Sequence, residues 1–316
     1  MMNRTTVSEF LLLGFTSNRQ LEVLLASLLA STYLLTITGN AVIITITLVN
    51  HQLCTPMYFF LRHFAILEIG FTMTIIPKAL TNMFSGDGTI SLPGCFLQVY
   101  LYLSLGLTEF LLLAIMSIDR YVAICNPLHY TSIMTGPTCS LLVLCSWMAG
   151  FLLILGPAIA LLGLPFCGPR AMDHFFCDIG SLIKRSCMDT SLLEFMVFLL
   201  ATLSLLGTLT VNLVSYANII STIMCIPSTE GRQKAFSTCI SQITVVSLTY
   251  GSCIFMYIKP SYAMELSSRK RVSILNTVVA PLLNPFIYCL RNKQVQDALK
   301  TILSQKLFNL QSTTTT

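Results

Sequence analysis

The sequence predicts an all-α membrane protein, a seven-transmembrane helix bundle with an extracellular N-terminus and a short amphipathic helix after the seventh span. Three observations predict it. Hydrophobic residues make up 54% of the chain and charged ones 10%, where soluble domains carry about a quarter charged. The apolar residues fall in long blocks. No Asp, Glu, Lys or Arg occurs between Arg120 and Arg170, Glu194 and Glu230, Lys234 and Lys259, or Arg271 and Arg291. Each gap can hold the roughly 20 apolar residues a spanning helix needs, and in lipid such a segment must satisfy its own backbone.

The N-terminal tail, residues 1–22, holds Arg4, Glu9 and Arg19 and lacks the apolar core and small-residue cleavage site of a signal peptide. The first span, about 23–50, then acts as its own insertion signal and carries Asn40 at depth. The second, about 57–83, is interrupted by Arg62, Glu68 and Lys78. The third, about 92–122, is long because its polar residues lie inside it. The fourth is expected at about 138–162, the fifth at 195–223, the sixth at 235–258 and the seventh at 272–290. In the cytoplasmic tail, 291–316, Val295, Ala298, Leu299, Ile302 and Leu303 share one face, the pattern of a helix lying on the membrane surface.

Lys and Arg should favour the cytoplasmic side, but here they divide almost evenly between the two sides. Two other signals put the N-terminus outside. Asn3-Arg4-Thr5 is an acceptor for N-glycosylation, at Asn3. Of twelve cysteines, Cys95, Cys167, Cys177 and Cys187 fall at the start of the third span or in the following long loop. With the N-terminus outside, all four lie in an oxidising compartment, where disulfides persist; four cysteines permit three connectivities.

Charge inside a span is costly and usually faces the bundle interior. At about 100° per residue, Tyr102, Gly106, Glu109, Leu113, Met116 and Arg120 form one stripe down the third span. Glu109 and Arg120 are separated by about 16 Å of helix axis. Glu68 is the other deep carboxylate. Two acids at similar depth could hold a small cation such as Na⁺, or share a proton, with Asn40 and Asn284 adding amides to the same polar core. In the seventh span, Pro281 and Pro285 free backbone carbonyls and introduce a kink. A kink is where two packings can lie close in energy.

Asp119-Arg120-Tyr121 closing the third span and Asn284-Pro285-x-x-Tyr288 in the seventh resemble rhodopsin-like G-protein-coupled receptors. "PMYFFL" at 56–61, "DRYVAICNPLHY" at 119–130, "KAFSTC" at 234–239 and "PLLNPFIYCLRN" at 281–292 narrow the resemblance to vertebrate olfactory receptors of the tetrapod-type class. It covers the chain from about Phe10 to Lys300. It implies a plasma-membrane, multi-pass odorant receptor that activates a stimulatory, olfactory-type heterotrimeric G protein and raises cyclic AMP. It implies a switch set of Asp119, Arg120, Tyr121, Tyr216, Asn284, Pro285 and Tyr288. It also implies disulfides Cys95–Cys177 and Cys167–Cys187, with Cys187 the alternative partner of Cys95. Partners expected are a small-molecule odorant, the G protein, membrane lipid and a surface-delivery chaperone. Many members have Asp at the position of Glu68, and His at that of Gln242; "MSIDRY" stands here for the commoner "MAYDRY".

By depth, the ligand space should be lined by Tyr102, Leu103, Gly106 and Leu107 of the third span. Leu200 and Ser204 join from the fifth, Tyr250, Ile254 and Tyr257 from the sixth, and Ile274 and Thr277 from the seventh. None is charged, and the Asp with which amine receptors grip their ligands is absent at this depth. A mostly apolar lining with a few hydroxyls suits a neutral, volatile, mainly apolar ligand.

Other classes fit less well. The +5 charge is scattered, with no basic stripe for nucleic acid. No internal repeat supports a transporter of inverted halves. A transporter or channel would have to route ions past Glu68 and Glu109. No His-Glu-x-x-His or Gly-x-Ser-x-Gly is present to support an enzyme.

Overall fold

A computed structural model describes residues 8–16, 18–50, 53–167, 169–258, 270, 273–291 and 295–296. The side chains of 234, 238, 255–258 and 289–291 fall outside that description, as do Asn3, the side chain of Tyr257 and most of the expected tail helix.

Six long helices follow in order: α1 (Arg19–Val49), α2 (Pro56–Ser85), α3 (Leu92–Cys125), α4 (Gly136–Leu162), α5 (Ser191–Met224) and α6 (Thr229–Ile258). A π-helical turn, Leu275–Val279, then runs into α7 (Ala280–Arg291). The first five are long and apolar enough to cross a membrane, and α6 contributes the apolar stretch Cys239–Ile254.

Local chemistry sets the helix ends. Asn18 caps α1 by accepting from the amides of Gln20 and Leu21, and Ser91 caps α3 through the Gly94 amide. Pro sits in the first turn of α2, α3 and α4, where no amide partner is missed. Gly86 ends α2 with φ of +72°, a left-handed conformation that costs glycine nothing. Helices begin beyond the apolar blocks, as at Ser191 and at Thr229, where the Ser228 side chain accepts from the Gly231 amide.

Large side chains on the outer faces, such as Leu24, Leu28, Leu34, Leu152, Phe198 and Leu203, are exposed. In water this would be costly; toward lipid hydrocarbon it is not. The interior holds Phe60, Phe64, Leu67, Ile75, Leu112 and Leu113, packed in one cluster along α2 and α3. Helix α3 is central and packs against α2, α4, α5 and α6.

A small sheet caps one end of the bundle. Strand β1 (Glu9–Leu12) pairs antiparallel with β2 (Thr89–Ser91) and parallel with β3 (Ala171–Met172), in the order β2-β1-β3. Phe10, Leu12, Ile90 and Met172 bury a second apolar cluster beneath it, against Val99 and Leu161. The expected fold contained no strand. Cys95 and Cys177 lie beside this cluster, bridged at 2.05 Å, and Cys167 and Cys187 form a second bridge at a Cα separation of 5.6 Å.

Candidate functional site

Consider first the segment 173–177, which crosses the sheet end of the bundle. Asp173 accepts from Lys270 Nζ at 2.5 Å, and Lys270 also donates to the Gly14 carbonyl at 2.9 Å. The Gly14 amide donates to the His174 carbonyl. Phe175 stacks on Phe15 with centroids 4.5 Å apart. Phe176 packs on Tyr102 at 5.1 Å, and Tyr102 on Phe71 at 5.2 Å. Phe176 thus forms a roof over the stripe that starts at Tyr102.

Below that roof, the expected lining residues take different places. Tyr102, Ile254 and Ile274 are half-buried and pack against the main core, whereas Leu103 packs against the cluster under the sheet. A Cβ at Gly106 would meet Phe71 at 3.9 Å, an ordinary contact, so some space exists there. Leu107 is buried and Leu200 half-buried. Ser204 donates to the Leu200 carbonyl, and the buried Thr277 to the Ser273 carbonyl. Both hydroxyls therefore already serve their own helices. Tyr250 is buried, its hydroxyl accepting from Asn212 Nδ2 at 3.2 Å. The phenol expected to face a ligand is engaged by α5 instead.

Neighbouring residues of α6 reach two further elements. Thr249 Oγ1 donates to Glu109 Oε1 of α3 at 3.2 Å. Ser252 Oγ lies within hydrogen-bond distance of Asn276 Oδ1 in the π-helical turn and of the Leu248 and Thr249 carbonyls of its own helix, which share its single hydrogen. Asn276 Nδ2 also faces Cys253 Sγ at 3.9 Å. One turn of α6 is thereby tied to α3, α5 and the seventh helix. Asn212, Thr249, Ser252 and Asn276 were not singled out from sequence. Buried amides inside apolar spans were the available signal.

Deeper still, Asn284 Nδ2 donates to Glu68 Oε1 at 2.5 Å. Glu68 and Glu109 are close enough to interact electrostatically. Among the described residues, no group of three or more His, Cys, Asp or Glu is arranged to hold a metal ion. Asn40 spends its amide on the Thr36 carbonyl at 2.9 Å. Pro285 meets α1 where a Cβ at Gly39 would lie 3.0 Å from its ring.

At the far end, Arg120 is 8% exposed, and its Nη2 has no hydrogen-bond partner among the described residues. The Tyr216 and Tyr288 hydroxyls are likewise buried without hydrogen-bond partners among the described residues, and both lie within electrostatic reach of Arg120. Asp119 does not form an ion pair with Arg120. It accepts from Tyr130 Oη at 2.8 Å, across the turn that follows α3. Tyr121 is half-buried against the main core. Leu128, in that turn, is 91% exposed.

A family profile described as "Olfactory receptor" matches residues 29–306. The chain belongs to the olfactory receptor family. Olfactory receptor 6C74 of Homo sapiens is 54% identical over 311 residues, covering 98% of this chain and 100% of the relative. Olfactory receptor 6E1 of Mus musculus is 55% identical over 306 residues, covering 96% and 98%. Among solved structures, squid rhodopsin matches with a TM-score of 0.69 at 14% identity, over 92% of this chain and 88% of that one. That likeness establishes the rhodopsin-like seven-helix bundle. As an olfactory receptor, the chain is a multi-pass plasma-membrane protein that receives odorants and couples to a heterotrimeric G protein. The transporter reading, with Glu68 and Glu109 in an ion path, is not favoured: these relatives are receptors.

Proposed function

We propose that a neutral, mainly apolar odorant binds inside the bundle beneath Phe176, between α3, α5, α6 and the π-helical turn. Binding there releases α6 to activate a stimulatory G protein and raise cyclic AMP. The observation that carries this reading is the position of residues 249–252 of α6. Thr249, Tyr250 and Ser252 are bonded to three different elements, through Glu109, Asn212 and Asn276. A ligand that competes for any of these bonds, or wedges beside them, changes how α6 sits. Unpartnered buried polar atoms cost roughly 1–3 kcal/mol each. Among the described residues, Arg120 Nη2 and the Tyr216 and Tyr288 hydroxyls are such atoms. They supply part of the drive toward a second arrangement in which they find partners.

In this reading the sheet end is extracellular, which puts both bridged cysteine pairs in an oxidising compartment and Asn3 where it can be glycosylated. The Arg120 end is cytoplasmic, with Leu128 an apolar contact for the G protein. Glu68 with Asn284, and Glu109 with Thr249, form a buried polar layer between the two ends. That layer carries either a shared proton or a cation such as Na⁺. Bilayer lipid covers the outer faces, and delivery to the surface is assisted by a chaperone.

The test is a cyclic AMP reporter in cells expressing the full chain, challenged with a chemically diverse odorant panel. At least one mainly apolar odorant should evoke a signal, and Arg120→Ala should abolish it at unchanged surface expression. A signal that survives Arg120→Ala would remove the switch assigned to that residue.

A further inference from the structure

We propose that Gln98 is a positioning residue that sets the length limit for ligands. It does so by fixing the peptide between Phe176 and Cys177. The inference deepens the reading above, since it requires the ligand to lie beneath Phe176.

Gln98 is 6% exposed and belongs to α3, three residues past Cys95 and one turn before Tyr102. Its amide makes two bonds to two elements. Nε2 donates to the Thr74 carbonyl of α2 at 2.9 Å, and Oε1 accepts the Cys177 amide at 2.9 Å. Pro77 lies inside the continuous helix α2, and its missing N–H leaves the carbonyl of Met73, the residue before Thr74, without a helical donor.

The Cys177 amide is planar with the Phe176 carbonyl, and the two α-carbons lie in the same plane. Holding that N–H therefore fixes the direction in which the chain leaves Phe176. The Cys95–Cys177 bridge holds this peptide near α3, but a disulfide can rotate about its own bonds. Gln98 removes that freedom. Phe176 is then fixed over Tyr102, which packs on Phe71. A longer ligand has to lift the roof, and lifting it breaks a bond to a buried amide. The cost is greater when the buried partner is left unsatisfied.

Two measurements on the full chain test this. The first is amide hydrogen exchange on purified receptor in lipid nanodiscs. Gln98→Leu should speed exchange at Cys177 by about tenfold, with the helices unaffected. Gln98→Glu keeps the acceptor for the Cys177 amide but sets a second oxygen against the Thr74 carbonyl, so its protection should fall between that of the other two. Equal exchange at Cys177 in all three proteins would overturn the clamp.

The second is a cyclic AMP dose response to straight-chain alcohols, from butan-1-ol through dodecan-1-ol. In the unmodified receptor, potency should rise with length and then fall abruptly. In Gln98→Leu at matched surface expression, the fall should come at least one methylene later. Each newly accepted methylene should gain about fourfold in potency. A uniform loss across the series, or an unchanged cut-off, would overturn the length limit. Silence of the unmodified receptor toward every alcohol and the wider panel counts against the odorant site itself. The exchange measurement still decides the clamp in that case.

Discussion

A methyl group added at Gly150 would sit 2.0 Å from the Thr108 hydroxyl and 2.8 Å from the Ser104 carbonyl oxygen, because α3 and α4 come close there. Gly156, on the same helix, has nothing within 4 Å of the same added atom. Overpacking a tight contact costs roughly 1–3 kcal/mol. Gly150→Ala should therefore lower the melting temperature of purified receptor, and Gly156→Ala should leave it almost unchanged. Equal effects would mean that helix propensity, not contact, governs both sites. The Asp119 carboxylate presents a second case. Its acceptor bond from Tyr130 links the end of α3 to the turn after it. Burial and the neighbouring carboxylate push the Tyr130 phenol well above its ordinary range, so it stays a donor at any physiological pH. Tyr130→Phe removes a hydrogen bond to a charged group, worth about 1.5–3 kcal/mol. A melting temperature that does not fall would show that the bond contributes nothing to the folded receptor. The Asp119-Arg120 pair was legible as a motif. Its division of labour was not, because that depends on a tyrosine eleven residues away.

At the level of elements, the helices were legible and the sheet was not. A spanning helix announces itself by a long charge-poor run, which few other structures need. Strands of four, three and two residues are too short to show a period of two. Leu11 pairs with Ala171, a partner no local pattern could name. The apolar run Phe10-Leu11-Leu12-Leu13 read as tail because the burial of Phe10 and Leu12 comes from partners distant in sequence, among them Ile90, Val99, Leu161 and Phe166. The π-helical turn was hidden for a similar reason: Leu275–Val279 carries Asn276 and Thr277 among apolar residues, and what marks it is the contact of Asn276 with α6. Gly88 shows how tightly the sheet depends on backbone approach. It accepts the Leu12 amide at 2.8 Å, and a Cβ there would lie 2.2 Å from the Leu12 carbonyl. Gly88→Val should detach β1, seen as faster amide exchange at Leu11 and Leu12 with the helical amides unchanged. Retained protection at those amides would mean that β1 is held by its buried side chains rather than by its register.

Across the whole molecule, the stripe from Tyr102 to Arg120 and the ties of α6 describe one mechanical system. The sequence pattern showed the stripe, since helical period alone aligns its members. It could not show that Thr249, Tyr250 and Ser252 each bind a different element, because those contacts span 140, 38 and 24 residues of chain. If these bonds hold the ligand-free arrangement, cutting one should shift the resting equilibrium without any odorant. A net hydrogen bond of about 0.5–1.5 kcal/mol corresponds to a shift of roughly two- to tenfold. Thr249→Val removes the tie to Glu109, and Ser252→Ala the tie to Asn276, while both keep the helix intact. Each should raise basal cyclic AMP by about that factor at matched surface expression. Ser252 Oγ also reaches the Thr249 carbonyl, so the two sites are coupled and the double variant should depart from the product of the two effects. Odorant efficacy measured above the new baseline should shrink accordingly, because part of the transition has already occurred. Basal signalling that stays at the unmodified level in both single variants, with normal surface expression, would mean that the resting position of α6 is set elsewhere. In that event the apolar packing of Val245 and Val246 becomes the element a ligand has to move.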